Sequence, residues 1–234
     1  MCLVCMMSAM TFAATEPAAS TRWRLATDDT VLRIGVVDDV PVLESLSEAV
    51  DRHEWIARPT SVPLMDRVWV GDREVVLRWR FAGGAWDDAR ETLTLRFEND
   101  DPKLVLLSHW RARPGRGPVE HWMNIENAAT QPVTVSAQDS LTLGGVDPCG
   151  TAALWWIRRG GSNAETQGGT FSEPLNAQTR LELRSNCDDG ASPVPWMAIQ
   201  VGDTRGLYVG WEFSGPGRVD ARAVDEGRAA SIVV

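Results

Sequence analysis

Histidine and carboxylate side chains move protons most readily near neutral pH, and the chain carries three of the first and 32 of the second. His109 and His121 lie within alternating apolar runs, as do the acids Glu120 and Glu212. A histidine general acid working with a glutamate general base would open and reclose an aldose ring. The spacing has no signature of its own, and a strand histidine equally serves as a hydrogen-bonded structural residue. The adjacent acids Asp87-Asp88, Asp100-Asp101 and Asp188-Asp189 invite comparison with the two carboxylates of glycoside hydrolysis. Each pair stands in a turn sequence, where solvated acids favour loop conformations. On a strand, moreover, neighbouring residues point to opposite faces. No Gly-x-Ser-x-Gly elbow, phosphate loop, HExxH helix or calcium loop is present. Cys2-x-x-Cys5 has no second ligand pair, so a zinc site is not expected. Neither a catalytic residue set, nor a metal, nor a cofactor follows from the motifs.

Tryptophan is the remaining chemical resource, with 11 Trp against one Tyr and five Phe. A flat indole can cover the C–H face of a sugar ring while its N–H donates to a hydroxyl. Trp79, Trp110, Trp156 and Trp211 fall in phase with aliphatic neighbours and read as core. Four others are candidate substrate contacts. Trp55 stands in the polar stretch His53-Glu54-Trp55, and Trp86, like Trp69, is near a turn. Trp122 shares its strand face with Glu120 and Asn124, and Trp155 precedes Trp156, so that one of the two faces outward. Each of these four has a core or interface reading beside the sugar-binding one.

Charge narrows the partner. Of the 23 basic residues Lys103 is the single lysine, and the net charge is −9 with a pI near 4.9. Arginines alternate with Asp and Glu along the whole chain, so no basic stripe offers itself to nucleic acid or to an anionic membrane. A neutral ligand such as a carbohydrate fits better.

The positions 1–19 stand apart from the rest. Positions 1–14 carry no charge, are mostly apolar and end in the small residues Ala13 and Ala14. That pattern predicts a signal peptide, a mature domain from 20 to 234, and a secreted or periplasmic location, although no basic residue precedes the apolar run. A bilayer-spanning helix needs about 20 apolar residues, so membrane anchoring is the weaker reading. Cys149 and Cys187, each in a Gly/Asp-rich turn, remain after cleavage as a candidate disulfide, with two unpaired thiols as the alternative.

The elements that must position these residues are strands. Leu93, Leu95 and Phe97 alternate with polar partners, as do Leu32, Ile34 and Val36. The alternation of Val75, Leu77, Trp79 and Phe81 predicts one continuous strand. Further strands are expected over 103–111, 119–127, 133–136, 140–143, 153–158, 180–184, 196–201 and 206–214. Only 41–51 has spacing that would admit a helical turn or two. The apolar run 230–234 is β-type and stops without a polar tail, which suggests a chain cut before its native continuation. Eleven or more strands without a linker or a 20–50-residue repeat exceed an immunoglobulin-like sandwich and favour two large antiparallel sheets face to face.

Three stretches, in order, resemble a known family. Val119-Glu120-His121-Trp122-Met123-Asn124-Ile125-Glu126-Asn127 leads into Gln131-Pro132-Val133-Thr134-Val135 and Asp139-Ser140-Leu141. Pro195-Trp196-Met197-Ala198-Ile199-Gln200 follows, then Arg205-Gly206-Leu207-Tyr208-Val209-Gly210-Trp211-Glu212-Phe213-Ser214-Gly215. This order resembles the N-terminal β-domain of melibiase-type α-galactosidases, glycoside hydrolase family thirty-six, over about residues 30–225. The resemblance implies an all-β, galactose-mutarotase-like supersandwich of two large antiparallel sheets, followed in such enzymes by a (β/α)₈ barrel that holds the catalytic carboxylates. It implies for this chain a non-catalytic domain of an exported glycosidase, packed on a barrel beyond residue 234, beside a cleft for an α-galactoside-type carbohydrate. Homo-oligomerisation also follows from the resemblance. A stand-alone carbohydrate-binding module and an aldose epimerase are the alternative readings.

Overall fold

The computed structural model describes residues 21–160, 168–185, 192–212 and 216–234. Strands β1 (Arg22–Ala26), β2 (Thr30–Val37), β3 (Val40–Glu48) and β4 (Thr60–Ser61) form one antiparallel sheet in chain order. The β2–β3 hairpin turns through Asp38 and Asp39, both with positive φ (49° and 63°). A two-residue hairpin loop needs this left-handed pair to match strand twist, and Asp tolerates it through local hydrogen bonding. A two-stranded ribbon follows, β5 (Arg67–Val70) with β6 (Arg73–Val76). Next comes a four-stranded sheet of β7 (Arg80–Asp87), β8 (Thr92–Asn99), β9 (Leu104–Ala112) and β10 (Val119–Asn127), ordered β10-β9-β8-β7.

The remaining strands are β11 (Thr142–Val146), β12 (Ala152–Arg158), β13 (Gly169–Pro174), β14 (Arg180–Ser185), β15 (Pro193–Val201), β16 (Arg205–Gly210), β17 (Gly217–Val224) and β18 (Ala229–Val233). They form two further sheets, β11-β18-β17-β14 and β13-β12-β15-β16. All named strand pairs are antiparallel. The protein is all-β: among the described residues the helical structure is one 3-10 turn, Asp225–Gly227.

Backbone bonds stitch sheets into larger layers. An isolated bridge joins Ile56 to Val146, flanked by Ala57 N–H donating to Gly145 O at 3.1 Å and Asp147 N–H to Trp55 O at 2.9 Å. The first sheet thereby continues into the β11 sheet. One contiguous core then fills the space between layers, from Leu25 and Ile34 through Phe97 and Trp110 to Met197 and Ile232. Leu93, Leu95 and Phe97 are completely buried, as the alternation of β8 requires.

Three expectations about elements change. The 41–51 segment lies mostly in β3, not in a helical turn. The β2–β3 register pairs Ile34 with Leu43 but Arg33 with Ser45, so Glu44 is an extra residue in the ladder. That bulge breaks the period of two and leaves Leu43 and Leu46 buried three apart, imitating helical spacing. The run from Val75 to Phe81 is two strands. Val75 pairs with Val68 in the ribbon, whereas Phe81 pairs with Phe97 in the β7–β10 sheet. Between them Arg78 N–H donates to the buried Asn99 side chain at 2.7 Å, replacing a ladder bond. The 133–136 segment contributes a single bridge, Thr134 to Trp69.

Candidate functional site

The outer face of the β7–β10 sheet gathers the polar and aromatic residues singled out above. Antiparallel register sets Trp122 opposite His109, His109 opposite Thr94, and Glu120 opposite Arg111. Partners across a ladder share a face, so these side chains form adjacent rows. Trp122 stacks on His109 with ring centroids 5.0 Å apart and planes 19° from parallel. The Arg111 guanidinium lies 5.3 Å from the Trp122 ring centre. His109 Nδ1 is 2.9 Å from Thr94 Oγ1. Burial under this stack pulls the His109 pKa below its ordinary value. Trp122 itself keeps 36% of its surface exposed.

Glu120 is committed to two arginines. Its Oε2 accepts from Arg111 and its Oε1 accepts from Arg113 Nε at 2.6 Å. Burial works to raise the Glu120 carboxyl, and the hydrogen bonds from Arg113 and Arg111 outweigh it, leaving the group below the usual carboxylate range. A carboxyl held ionised in this way is a poor general acid. Beyond Arg111 the sheet edge opens into a hollow of about 370 Å³ between the β7–β8 and β9–β10 turns, lined by Asp88, Arg90, Glu91 and Arg113 among others.

The inner face holds a different arrangement. His121 pairs with Trp110, and their rings stack 4.1 Å apart. The Trp110 indole N–H donates to Ser108 Oγ at 3.0 Å, and His121 Nε2 lies 3.0 Å from the same oxygen. Burial pushes the His121 pKa down to about 4, so the ring is neutral at pH 7. Ser108 is fully enclosed. The Ser–His contact lies against the core, with Ser108 and Trp110 buried and His121 half-buried.

The structure therefore separates the proton-transfer candidates. His121 faces inward and Glu120, one residue earlier, faces outward. Glu212 lies two residues past the end of β16, exposed. Asp87 caps its own turn, accepting from Ala89 N–H at 3.0 Å. Asp188 and Asp189 lie outside the described residues.

The four tryptophans named as substrate contacts do not converge. Trp55 is a correction: only 2% of it is exposed, and its ring meets His53 edge-on at 4.5 Å. Its polar neighbour Glu54 turns back to the backbone, accepting from Leu46 N–H (2.8 Å) and Ile56 N–H (3.1 Å), and from the Ser45 hydroxyl at 2.5 Å. Trp86 is 42% exposed on the edge strand β7, where it pairs with buried Leu93 and so belongs to the inner face. Trp122 is three strands away, about 14 Å, on the other face. Trp155 belongs to another sheet and is half-buried. Of the tryptophans read as core, Trp110 and Trp156 are buried, while Trp79 and Trp211 are half-buried against it. Cys149 is exposed in its turn, with its N–H donating to Asp147 Oδ1 at 2.7 Å. Its candidate partner Cys187 lies outside the described residues, as do Cys2, Cys5 and the whole 1–19 segment.

No protein-family model and no curated protein matches the chain. Solved structures do. The galactosidase domain of the α-galactosidase–sucrose kinase AgaSK aligns over 92% of this chain at TM-score 0.65 and 12% identity. The GH36 α-galactosidase AgaA of Geobacillus stearothermophilus aligns over 91% at TM-score 0.66 and 11% identity. An α-galactosidase from Lactobacillus brevis aligns over 92% at TM-score 0.62 and 12% identity. In each case the match takes up 36–37% of the solved chain, so this chain spans just over a third of their length. At these identities the likeness is one of fold: the chain has the β-supersandwich architecture found in GH36 α-galactosidases.

Proposed function

We propose that this chain is the non-catalytic β-supersandwich domain of an exported α-galactosidase-like glycoside hydrolase, packing on a catalytic barrel and helping to shape its sugar cleft. The observation that carries this reading is the fold match over nine-tenths of this chain and just over a third of each α-galactosidase. The arrangement of the described acids supports the non-catalytic part. Glu120 is locked between two arginines, and Asp87 caps the backbone of its own turn. Export is supported by the uncharged apolar run at the N-terminus. Reading the transcript past the codon for Val234 and assaying both products on an aryl α-galactoside tests the proposal. A barrel-coding extension that hydrolyses the substrate, with no hydrolysis by the 234-residue chain, is the expected result. A transcript with no barrel, or hydrolysis by the short chain alone, would overturn it.

A second reading is favoured by one observation, the open Trp122 ring propped on His109 and Arg111. Such a platform suits the apolar face of a neutral sugar, as in a carbohydrate-binding module. Titration of galactose and raffinose against tryptophan fluorescence distinguishes this role, which requires a saturable change that Trp122→Ala abolishes.

A further inference from the structure

We propose that the outer face of the β13-β12-β15-β16 sheet is the surface that packs against the barrel. This rests on the domain reading above and names the face and the partner. The register puts Trp155 beside Ala198, Ala198 beside Tyr208, and Trp196 beside Gly210. Ala153 pairs with Gln200, while Ile157 and Trp155 pair on the other side with Thr170 and Ser172. All of these share one face, opposite to the buried Leu154, Trp156, Met197 and Ile199. None of the residues on that face, within the four strands, is charged.

The other sheets differ. The β7–β10 sheet exposes Arg96, Arg111 and Glu120, and the β14–β17 pair exposes Arg180, Glu182, Arg184 and Arg222. In a chain with 24% charged residues, one sheet face without any is a marked local depletion. Depletion of charge with enrichment in Trp and Tyr is the composition of an interface centre. Charges return only at its border. Arg205 pairs with Glu48 at 3.2 Å at the start of β16. An apolar centre within a polar rim is the usual interface anatomy.

Size selects the occupant. Four strands of about six residues make a patch about 20 Å square, or about 400 Å² a side and about 800 Å² in total. A stable dimer needs roughly 1,200–2,000 Å², whereas domains tethered in one polypeptide meet over roughly 600–1,500 Å². The patch suits a partner held by the chain itself. The solved α-galactosidases, which extend for about two thirds of their length beyond the matched part, have room for one. A sugar is a poorer occupant, because the hydrogen-bonding groups of the face, Gln200, Thr170, Ser172, Trp196 and the Tyr208 hydroxyl, are all neutral, and charge-assisted hydrogen bonds are about twice as strong as neutral ones.

Tyr208 makes the test clean, since it is the chain's single tyrosine and is half exposed. Nitration by tetranitromethane, located by peptide mass, reads its accessibility in the 234-residue chain and in the polypeptide extended through its barrel. The expected result is a rate at least tenfold lower in the extended polypeptide, restored to the short-chain rate by Ala198→Glu. Equal rates in an extended polypeptide that hydrolyses an aryl α-galactoside would sink the inference and leave the domain reading standing. Absence of a barrel, by contrast, removes both. Two further results would overturn the assignment: a sedimenting dimer of the short chain that Ala198→Glu dissociates, or protection of Tyr208 by raffinose.

Discussion

His109 carries Trp122 on its ring, and Thr94 lies on the far side at 2.9 Å from Nδ1, so three strands are tied together by one imidazole. Burial lowers the His109 pKa, and the stacked indole covers one face of the ring. Replacing Trp122 by alanine uncovers the ring. The His109 pKa is then expected to rise toward the ordinary 6.5, and the stacked pair to be lost at a cost of about 1 kcal/mol. Two-dimensional NMR titration of the imidazole and a urea midpoint read the two effects separately. An unmoved His109 pKa would mean that another part of the sheet shields it.

Acid should weaken the protein through His121. Its folded-state pKa, about 4, lies below the unfolded value near 6.5, so the unfolded chain takes up a proton first as pH falls. The contribution of the neutral ring is complete above about pH 6.5 and is lost progressively as pH falls toward 4, by up to about 3 kcal/mol. The wild-type chain should therefore lose more stability between pH 7 and pH 4.5 than His121→Gln does. Denaturant midpoints across that range would show parallel slopes if His121 does not titrate on unfolding.

Glu54 ought to matter more than its exposed position implies. Its carboxylate receives the N–H groups of Leu46 and Ile56 where β3 meets the following segment. Glu54→Ala leaves both donors without this acceptor, for an expected loss of about 2–3 kcal/mol in urea denaturation. Glu54→Gln retains a carbonyl oxygen for the same donors and should lose about 1 kcal/mol. Equal losses in the two variants would point to charge rather than acceptor geometry.

Gly84 on β7 admits the ring of Trp23, because an added Cβ would run into Trp23 Cζ2. Gly84→Ala is expected to cost about 1–3 kcal/mol through overpacking. Trp23→Leu in the same background should recover part of that loss, which a thermal melt of the three variants can detect.

The strands most legible from residue order are those whose alternate side chains are wholly buried. Leu93, Leu95 and Phe97 declare β8 because a plain ladder holds them fully buried on one face. Period-two reasoning fails where the ladder is irregular. Glu44 inserts one residue and gives β3 a helical rhythm. The change of sheet between Val76 and Arg80 is silent, since burial goes on alternating while the hydrogen-bond partners change. Trp55 misleads differently: Glu54 and His53 look like solvent-facing neighbours, yet the acid bonds to backbone and the imidazole packs on the indole. For the candidate site, spacing singled out Trp122 and the uncertain face of Trp155. It could not reveal the uncharged sheet face, which exists only when four strands, drawn from 152 to 210, are set in register.

The Ile56–Val146 bridge bears on how the domain comes into being. Sequential hairpins can close as each pair of strands leaves the ribosome, but this seam cannot. The early sheet must wait with its β4 side open until β11 has been made, and β11 in turn needs β18 as its ladder partner. Long-range pairings of this kind slow folding and leave apolar edges unprotected in the meantime. A nascent chain arrested before β18 is therefore expected to be captured by chaperones and cut readily by proteases, while the same chain with β18 in place is not.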